Sequence, residues 1–372
     1  ADQIVVLDKG VIVEIGNHET LMEKKGTIMR SFPHKCNANL NSMNMRISVA
    51  MCTYNGEDYL DEQLQSILEQ SIPVDEIIIC DDGSEDMTLS IIGRFIRAGA
   101  PIKLVRNPQN LGYTRNFEKA ICLCSGDIIF LADQDDIWMP DKVKTICYYF
   151  DTHPDKSYVF TNGKVINSMG TLSYEKTLFD IVGMTKRNKR LFDQGHHYDV
   201  MSVSSKVTGA TTALRASFVP YCLPFPELNK LAIHDGMMAA AAAIRNQIGY
   251  IDECLIKYRE HCAQSVGLGM LFKFPPRRYE LTKDLLMWHE ALTDPYNNEQ
   301  RERLRFVYKR LLSIRSIHGV FHLIGMYIRG DYRRQYSRPF AVFLRDINGV
   351  IVRFIGRIAG ISRCKLVNVN EI

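Results

Sequence analysis

The chain has 372 residues, 46% of them hydrophobic and 24% charged, with a net charge of +4. This is ordinary globular composition; it argues against a disordered or low-complexity chain and supports one large domain with appendages. The charge is unevenly spread: residues 270–372 hold 19 Lys+Arg against 9 Asp+Glu, so a slightly acidic body carries a basic tail, which suits nucleic acid or an anionic membrane leaflet.

The ten cysteines show no paired CxxC spacing, so reduced thiols of a cytoplasmic protein are expected rather than disulfides or zinc. No N-terminal pattern reads as a signal peptide, and no run of 18 apolar residues predicts a spanning helix.

In chain order, residues 1–30 stand apart. Ile4–Leu7, a turn at Asp8-Lys9-Gly10 and Val11–Val13 predict a β-hairpin, with Asn17 capping a short helix through Leu21 and Met22. The string ADQIVVLDKGVIVEIGNHETLMEKKG resembles the C-terminal tail of an ABC-transporter ATPase domain. No GxxxxGK[ST] phosphate loop accompanies it, so it reads as a fused remnant or a gene-boundary artefact without an ATP site. Residues 31–45, rich in Asn, Ser and Met, read as a linker.

From Arg46 the rhythm changes. Apolar strands are predicted at 47–52, 76–80, 102–105 and 128–131, separated by helical spacings at 59–68, 89–95 and 117–121. Strands alternating with helices imply a mostly parallel α/β sheet covered on both faces, with ligands at the C-terminal strand ends. The polar clusters fall at those ends: Thr53-Tyr54-Asn55, Asp81-Asp82-Gly83-Ser84 and Asp133-Gln134-Asp135-Asp136.

Side chains two apart in an extended chain share a face, so Asp133 and Asp135 point together and offer hard carboxylate oxygens to Mg²⁺ or Mn²⁺, a substrate diphosphate completing the shell. The plainer alternative is an acidic loop capping the next helix. Asp81 and Asp82 either accept from a base imide or ribose hydroxyl, or simply form a turn with Ser84 as cap. Asp235, opening a helix of small residues after His234, suits a cap as well as a base. Val207–Thr212 reads as a strand or turn of small residues, and polar residues 168–206 as an acceptor-side loop or a solvated surface.

Thr53-Tyr54-Asn55, Asp81-Asp82-Gly83-Ser84, Asn110-Leu111-Gly112 with Arg115-Asn116, and SGDIIFLADQDDIWMPDKV together resemble the family 2 glycosyltransferases over about residues 46–265. The resemblance implies a Rossmann-like GT-A fold, a nucleotide-sugar donor and inversion at the anomeric carbon. DQDDIW, VTGATTAL and HDGMMAAAAAIRNQIGYIDECLIKYREH are similar to bacterial rhamnosyltransferases of cell-wall and capsule synthesis. By that likeness Asp235 is the general base, and Asp135 touches a Mn²⁺ or Mg²⁺ ion with Asp133, Asp136 and His261 in its surroundings. Thr53, Tyr54, Asn55, Asp81, Asp82, Gly112, Arg115 and Asp133 are the donor-binding set. The processive QxxRW motif does not occur, which fits single-sugar addition. dTDP-rhamnose is the implied donor; a galactosyl or glucosyl donor, or a non-catalytic nucleotide-sugar-binding protein, are the rivals. The acceptor implied is a lipid-linked or other cell-surface glycan precursor.

Residues 266–372 form a basic extension. Val307 to Ile328 and Phe340 to Ile361 are apolar runs interleaved with arginines, which predict helices lying on an anionic membrane surface through residues 305–361, or helices packed on the catalytic domain. The expected location is the inner face of a bacterial cell membrane, with no nucleic-acid partner, since no binding module for one appears.

Overall fold

A computed structural model describes residues 4–8, 11–16, 45–201, 206–225, 233–264 and, further on, 302, 305–306, 309–310, 313, 318–335 and 339–358. The chain divides into two compact units, Ala1–Asn44 and Met45–Ile372. In the first, β1 (Ile4–Asp8) and β2 (Val11–Gly16) pair antiparallel as the expected hairpin, with a register shift at Val6/Leu7. The expected helix near residues 17–22 and the linker at 31–44 lie outside the described residues.

The second unit opens as the apolar rhythm requires: β3 (Ile47–Thr53), α1 (Leu60–Leu68), β4 (Glu76–Asp81), α2 (Thr88–Arg97), β5 (Ile102–Arg106), α3 (Tyr113–Leu123) and β6 (Ile128–Ala132). β3 pairs parallel with both β4 and β6, and β4 with β5. Period-two alternation sends successive residues to opposite faces. Ala50, Ile78, Cys80, Ile129 and Leu131 join one core layer with Phe117, Ala120 and Ile121 of α3. Val49, Met51, Ile77, Ile79 and Phe130 join the other with Leu60, Leu64 and Ile67 of α1. Strands buried on both faces read as continuous apolar runs, and each such side chain contributes about 1.5–3 kcal/mol of burial.

Beyond β6 the sheet is mixed rather than parallel. It continues with β7 (Ile137–Trp138), α4 (Lys142–Thr152), β8 (Tyr158–Asn167) and β9 (Leu172–Thr177), then the short helices α5 (Leu178–Val182), α6 (Lys186–Asp193) and α7 (His197–Met201). Residues 168–201 are thus a hairpin arm and three helices rather than an open loop. A 3₁₀ turn, Gly209–Thr211, leads into β10 (Thr212–Arg215), so the small-residue segment is a turn feeding a strand. α8 (His234–Ile244) and β11 (Ile248–Glu260) follow. The strand order is β5-β4-β3-β6-β10-β8-β11-β7, with β9 on β8. β10 lies antiparallel between β6 and β8, while β11 runs parallel to β8 and antiparallel to β7.

The described part of the extension is helical: α9 (Gly319–Ile328), α10 (Asp331–Gln335) and α11 (Pro339–Ile358). Leu323, Met326, Tyr332, Val342 and Val350 are buried in the layer shared with α3 and α8. The buried guanidinium of Arg310 donates to Asp346 through Nε (2.6 Å) and Nη2 (2.8 Å), and Tyr332 Oη donates to the same carboxylate at 2.8 Å. No described helix is long and apolar enough to cross a membrane.

Candidate active site

The three polar clusters sit together because β4, β3 and β6 are neighbours and parallel, so their C-terminal loops emerge on one edge. Each loop is bound to the next. Thr53 Oγ1 donates to Asp81 Oδ2 at 2.8 Å. The Asn55 N–H donates to Ser84 Oγ (3.0 Å), and Asn55 Oδ1 accepts the Glu85 N–H (2.9 Å). Gln134 accepts the Tyr54 N–H at 2.8 Å and donates back to its carbonyl at 3.0 Å. A Cβ on Gly56 would lie 2.4 Å from Gln134 Oε1, so glycine there makes room for this bridge.

The expected donor-binding residues divide in two. Asp81 and Asp82 are buried, and their carboxylates serve the loops: Asp81 accepts from the Ser84 N–H and Oγ, while Asp82 accepts from Asn107 Nδ2 and from the Leu111 and Gly112 N–H groups. The left-handed backbone of Gly112 (φ 77°) closes that second loop. Arg115 donates to Glu118 and to the Phe225 carbonyl, 2.7 and 2.9 Å. Tyr54 and Asn55, in contrast, are exposed at the rim.

The acidic run lies in the bend between β6 and β7, and its members take different partners. Asp135 is buried except for its rim, and its Oδ2 lies 2.9 Å from His261 Nε2, with Gln264 Nε2 at 3.5 Å. Asp136 is fully buried; Oδ1 accepts the Arg259 N–H at 2.9 Å, and Oδ2 has no hydrogen-bond partner among the described residues. Asp136 is thus held by the β11 backbone, while Asp135 is the acid that meets His261. Burial, then the neighbouring charges of Asp135 and Asp235, push the Asp133 carboxyl up to about 7. Burial and the charges of Asp135 and Asp133 push Asp136 well above the carboxylate range. The buried Lys142 ammonium, bonded to the Ala210 carbonyl at 2.7 Å and 4.1 Å from the Trp138 ring centroid, opposes both shifts; burial lowers it to about 7.

Among the described residues no three His, Cys, Asp or Glu side chains are grouped to hold a metal ion. Asp135 and His261 supply two converging donors, an oxygen and a nitrogen. That fits an ion whose remaining positions are filled by substrate oxygens and water rather than a closed protein cage.

Asp235 lies in the first turn of α8, nine-tenths buried, its Oδ1 accepting the Gly236 N–H at 2.5 Å. Burial lifts its carboxyl to about 6, against the lowering effect of hydrogen bonds from the Gly236 and Gly209 N–H groups. The helix has no side-chain cap, and its N-cap position is Ile233, so Asp235 is a first-turn acid rather than the capping residue. Beside it, His234 is stacked on Phe117 at 4.2 Å, and burial drives its imidazole down to about 3, so it stays neutral.

Arg259, Gln134, Gly56 and Lys142 organise the site without having been singled out by the sequence. Only their placement within or beside the KYREH, SGDIIFLADQDDIWMPDKV and Thr53-Tyr54-Asn55 segments hinted at them.

Residues 48–205 match the family model of glycosyl transferase family 2. The dTDP-rhamnosyl transferase RfbG of Shigella flexneri is 29% identical over 245 residues, covering 63% of this chain and 79% of that protein. An uncharacterized glycosyltransferase of Haemophilus influenzae is 35% identical over 105 residues, 28% of this chain and 32% of its own length. Several other curated relatives are likewise matched over less than half their length. The crystal structure of S. aureus TarS 1–349 in complex with UDP-GlcNAc superposes with a TM-score of 0.51 at 17% identity, covering 85% of this chain and 92% of that one. Residues 48–205 thus resemble glycosyl transferase family 2, and the fold is that of the S. aureus TarS 1–349 structure.

Proposed function

We propose that the protein transfers a single sugar from a nucleotide-sugar to an acceptor hydroxyl with inversion, and that Asp235 is the base. The observation that carries this reading is the nearness of Asp235 to Asp133 of the acidic run. Asp135 with His261 makes a cation-binding edge at the end of β6, while Asp235, raised to about 6 by burial, stands close enough to affect the charge of Asp133. A carboxylate with that pKa is ionised near neutrality yet basic enough to take a proton as the hydroxyl becomes a nucleophile. The acceptor oxygen then bonds to the anomeric carbon from the side opposite the phosphate. The bond from that carbon to the phosphate oxygen breaks, and the nucleoside diphosphate leaves with its electron pair.

Asp135 and His261 are the residues that would hold Mn²⁺ or Mg²⁺, with Asp133 completing the edge; bound there, the ion supplies charge stabilisation for the leaving diphosphate. Thr53, Tyr54 and Asn55 line the nucleotide side, with Tyr54 exposed for stacking on a base; Asp81, Asp82 and Gly112 shape the loops, and Arg115 fixes the start of α3 to Phe225. The name of the Shigella relative supports dTDP-rhamnose as donor.

A lipid-linked glycan precursor is the acceptor we favour. The support is in the extension, where Phe321, Ile324 and Ile328 are exposed on α9 opposite buried Leu323 and Met326. Phe340, Leu344 and Ile351 are exposed on α11 opposite Val342 and Val350, and exposed Arg329, Arg333 and Arg334 lie between the two helices in sequence. Apolar rows flanked by arginines suit an anionic bilayer surface.

A thermal-shift screen of dTDP-rhamnose, UDP-glucose, UDP-galactose and UDP-GlcNAc, each with Mn²⁺ or chelator, tests the donor. Selective binding to the folded state at 100 Kd stabilises by about 2.7 kcal/mol, so the right donor stands out. A shift for no nucleotide-sugar would overturn the reading. A shift without donor hydrolysis or transfer would favour a binding protein.

A further inference from the structure

We infer that Arg259 is a positioning residue that holds the peptide between Asp135 and Asp136 so that Asp135, not Asp136, presents its carboxylate to the cation edge. The inference rests on the proposed role of Asp135. Arg259 is near the end of β11 and is the largest fully buried side chain described, 2% exposed. Its Nε donates to the Asp135 carbonyl at 2.8 Å, while its own backbone N–H holds Asp136 Oδ1 at 2.9 Å. The two bonds grip both ends of one residue step. Nη1 reaches the Asn167 and Ser168 carbonyls at 3.4 and 3.3 Å, and Nη2 donates to Glu62 of α1. The guanidinium carbon lies 4.7 Å from the Tyr59 ring centroid, and Tyr59 in turn packs on His261 with centroids 4.6 Å apart. One side chain thus joins the acidic loop, the β8–β9 turn, α1 and, through Tyr59, the second cation donor.

The chemistry explains why arginine occupies this place. Three carboxylates within four residues repel one another, and a fork of donors on the loop backbone holds them in place against that repulsion. The guanidinium directs its donors to backbone carbonyls and to Glu62, not to the Asp135 carboxylate, whose oxygen remains turned to His261. Lysine, a point charge on a flexible stem, cannot make this fork of bonds to three segments.

The test uses the full chain with Arg259→Lys and Arg259→Met. Amide hydrogen exchange should quicken about tenfold or more at residues 133–138 and 166–170, with protection in β3 and β4 unchanged, and Mn²⁺ affinity read by EPR with dTDP present should fall about tenfold in both variants. A merely structural role would raise exchange throughout the sheet, and that result overturns the inference. Unchanged exchange at 133–138 in the methionine variant overturns it too, as does a loosened loop with wild-type Mn²⁺ affinity or full recovery by lysine. If the wild-type protein binds no Mn²⁺, the cation reading of Asp135 falls, and the exchange pattern alone decides whether Arg259 holds the loop.

Discussion

In the proposed role of base, Asp235 must be ionised to accept a proton and basic enough to want it, and its surroundings set both limits. Burial raises the carboxyl to about 6 while the Gly236 and Gly209 N–H groups restrain the rise. The sign follows directly: below about pH 6 the group is protonated and cannot act, so kcat/KM should fall on that side and level off above it. Asp235→Asn keeps the shape and the first-turn oxygen, so melting and nucleotide affinity should stay near wild type while transfer drops at least about a hundredfold. Turnover by the Asn variant at the wild-type rate, measured with saturating donor, would remove Asp235 from the mechanism. At this scale the acids were legible in the sequence, because a run of carboxylates after an apolar strand is a local pattern. Arg259 and Gln134 were not. Arg259 meets Asp135 across more than a hundred residues, and Gln134 meets Tyr54 across eighty. Asp136 reads like its neighbours in the sequence, but its Oδ1 is taken by the Arg259 N–H, a partner 123 residues away.

The loops at the ends of β3, β4 and β6 act as one piece because backbone groups of one are bonded to side chains of the next. Gly56→Ala tests this. The Gly56 backbone lies outside the left-handed region, so alanine is not strained there; its methyl instead meets Gln134, 2.4 Å from Oε1, and must break the two-way bond to Tyr54. The expected cost is about 1–2 kcal/mol, with a several-fold rise in donor KM. Gln134→Ala should cost a similar amount, and the double variant little more than either single one, since both remove the same bridge. Additive losses in that cycle would show that Gly56 acts through something else. Among the elements themselves, β3, β4 and β6 were legible because both of their faces are buried and they read as nearly unbroken apolar runs, while β5, an edge strand with Lys103 exposed, showed only through Ile102, Leu104 and Val105. The second half was not. β10 has four residues and runs antiparallel, β7 has two, and β11 carries charged residues along much of its length; none of these gives a clean period.

At the scale of the whole molecule, the basic extension is the feature whose sequence left two readings open, and the packing of its helices on the core is the one the structure shows. One row of its helices is buried in the main core, and Asp346 fixes them through Arg310 and Tyr332. The opposite row is exposed. The hairpin unit is a separate question: as 1–44 and 45–372 are distinct compact units, deleting 1–44 should leave transfer and the melting temperature of the remainder nearly unchanged. A large loss of soluble protein would refute that.

The outward row makes the sharper test. An exposed large apolar side chain placed in a bilayer interface recovers about 1.5–3 kcal/mol, and each arginine near an anionic surface adds about 1 kcal/mol. Asp331 moderates that gain, since both Arg329 and Arg334 pair with it. Binding should therefore need both terms. Sedimentation with phosphatidylglycerol vesicles is expected at low salt and should weaken as ionic strength shortens the reach of the charges, while neutral phosphatidylcholine vesicles should retain little protein. Phe321→Glu with Ile328→Glu should abolish sedimentation without lowering the melting temperature, because both side chains point away from the core, 77% and 78% exposed. Arg333→Glu should weaken it and steepen the loss with salt less than wild type does. Equal binding to neutral and anionic vesicles would remove the electrostatic part. Undiminished binding by the double glutamate variant would remove the apolar rows from the contact and leave them needing another partner.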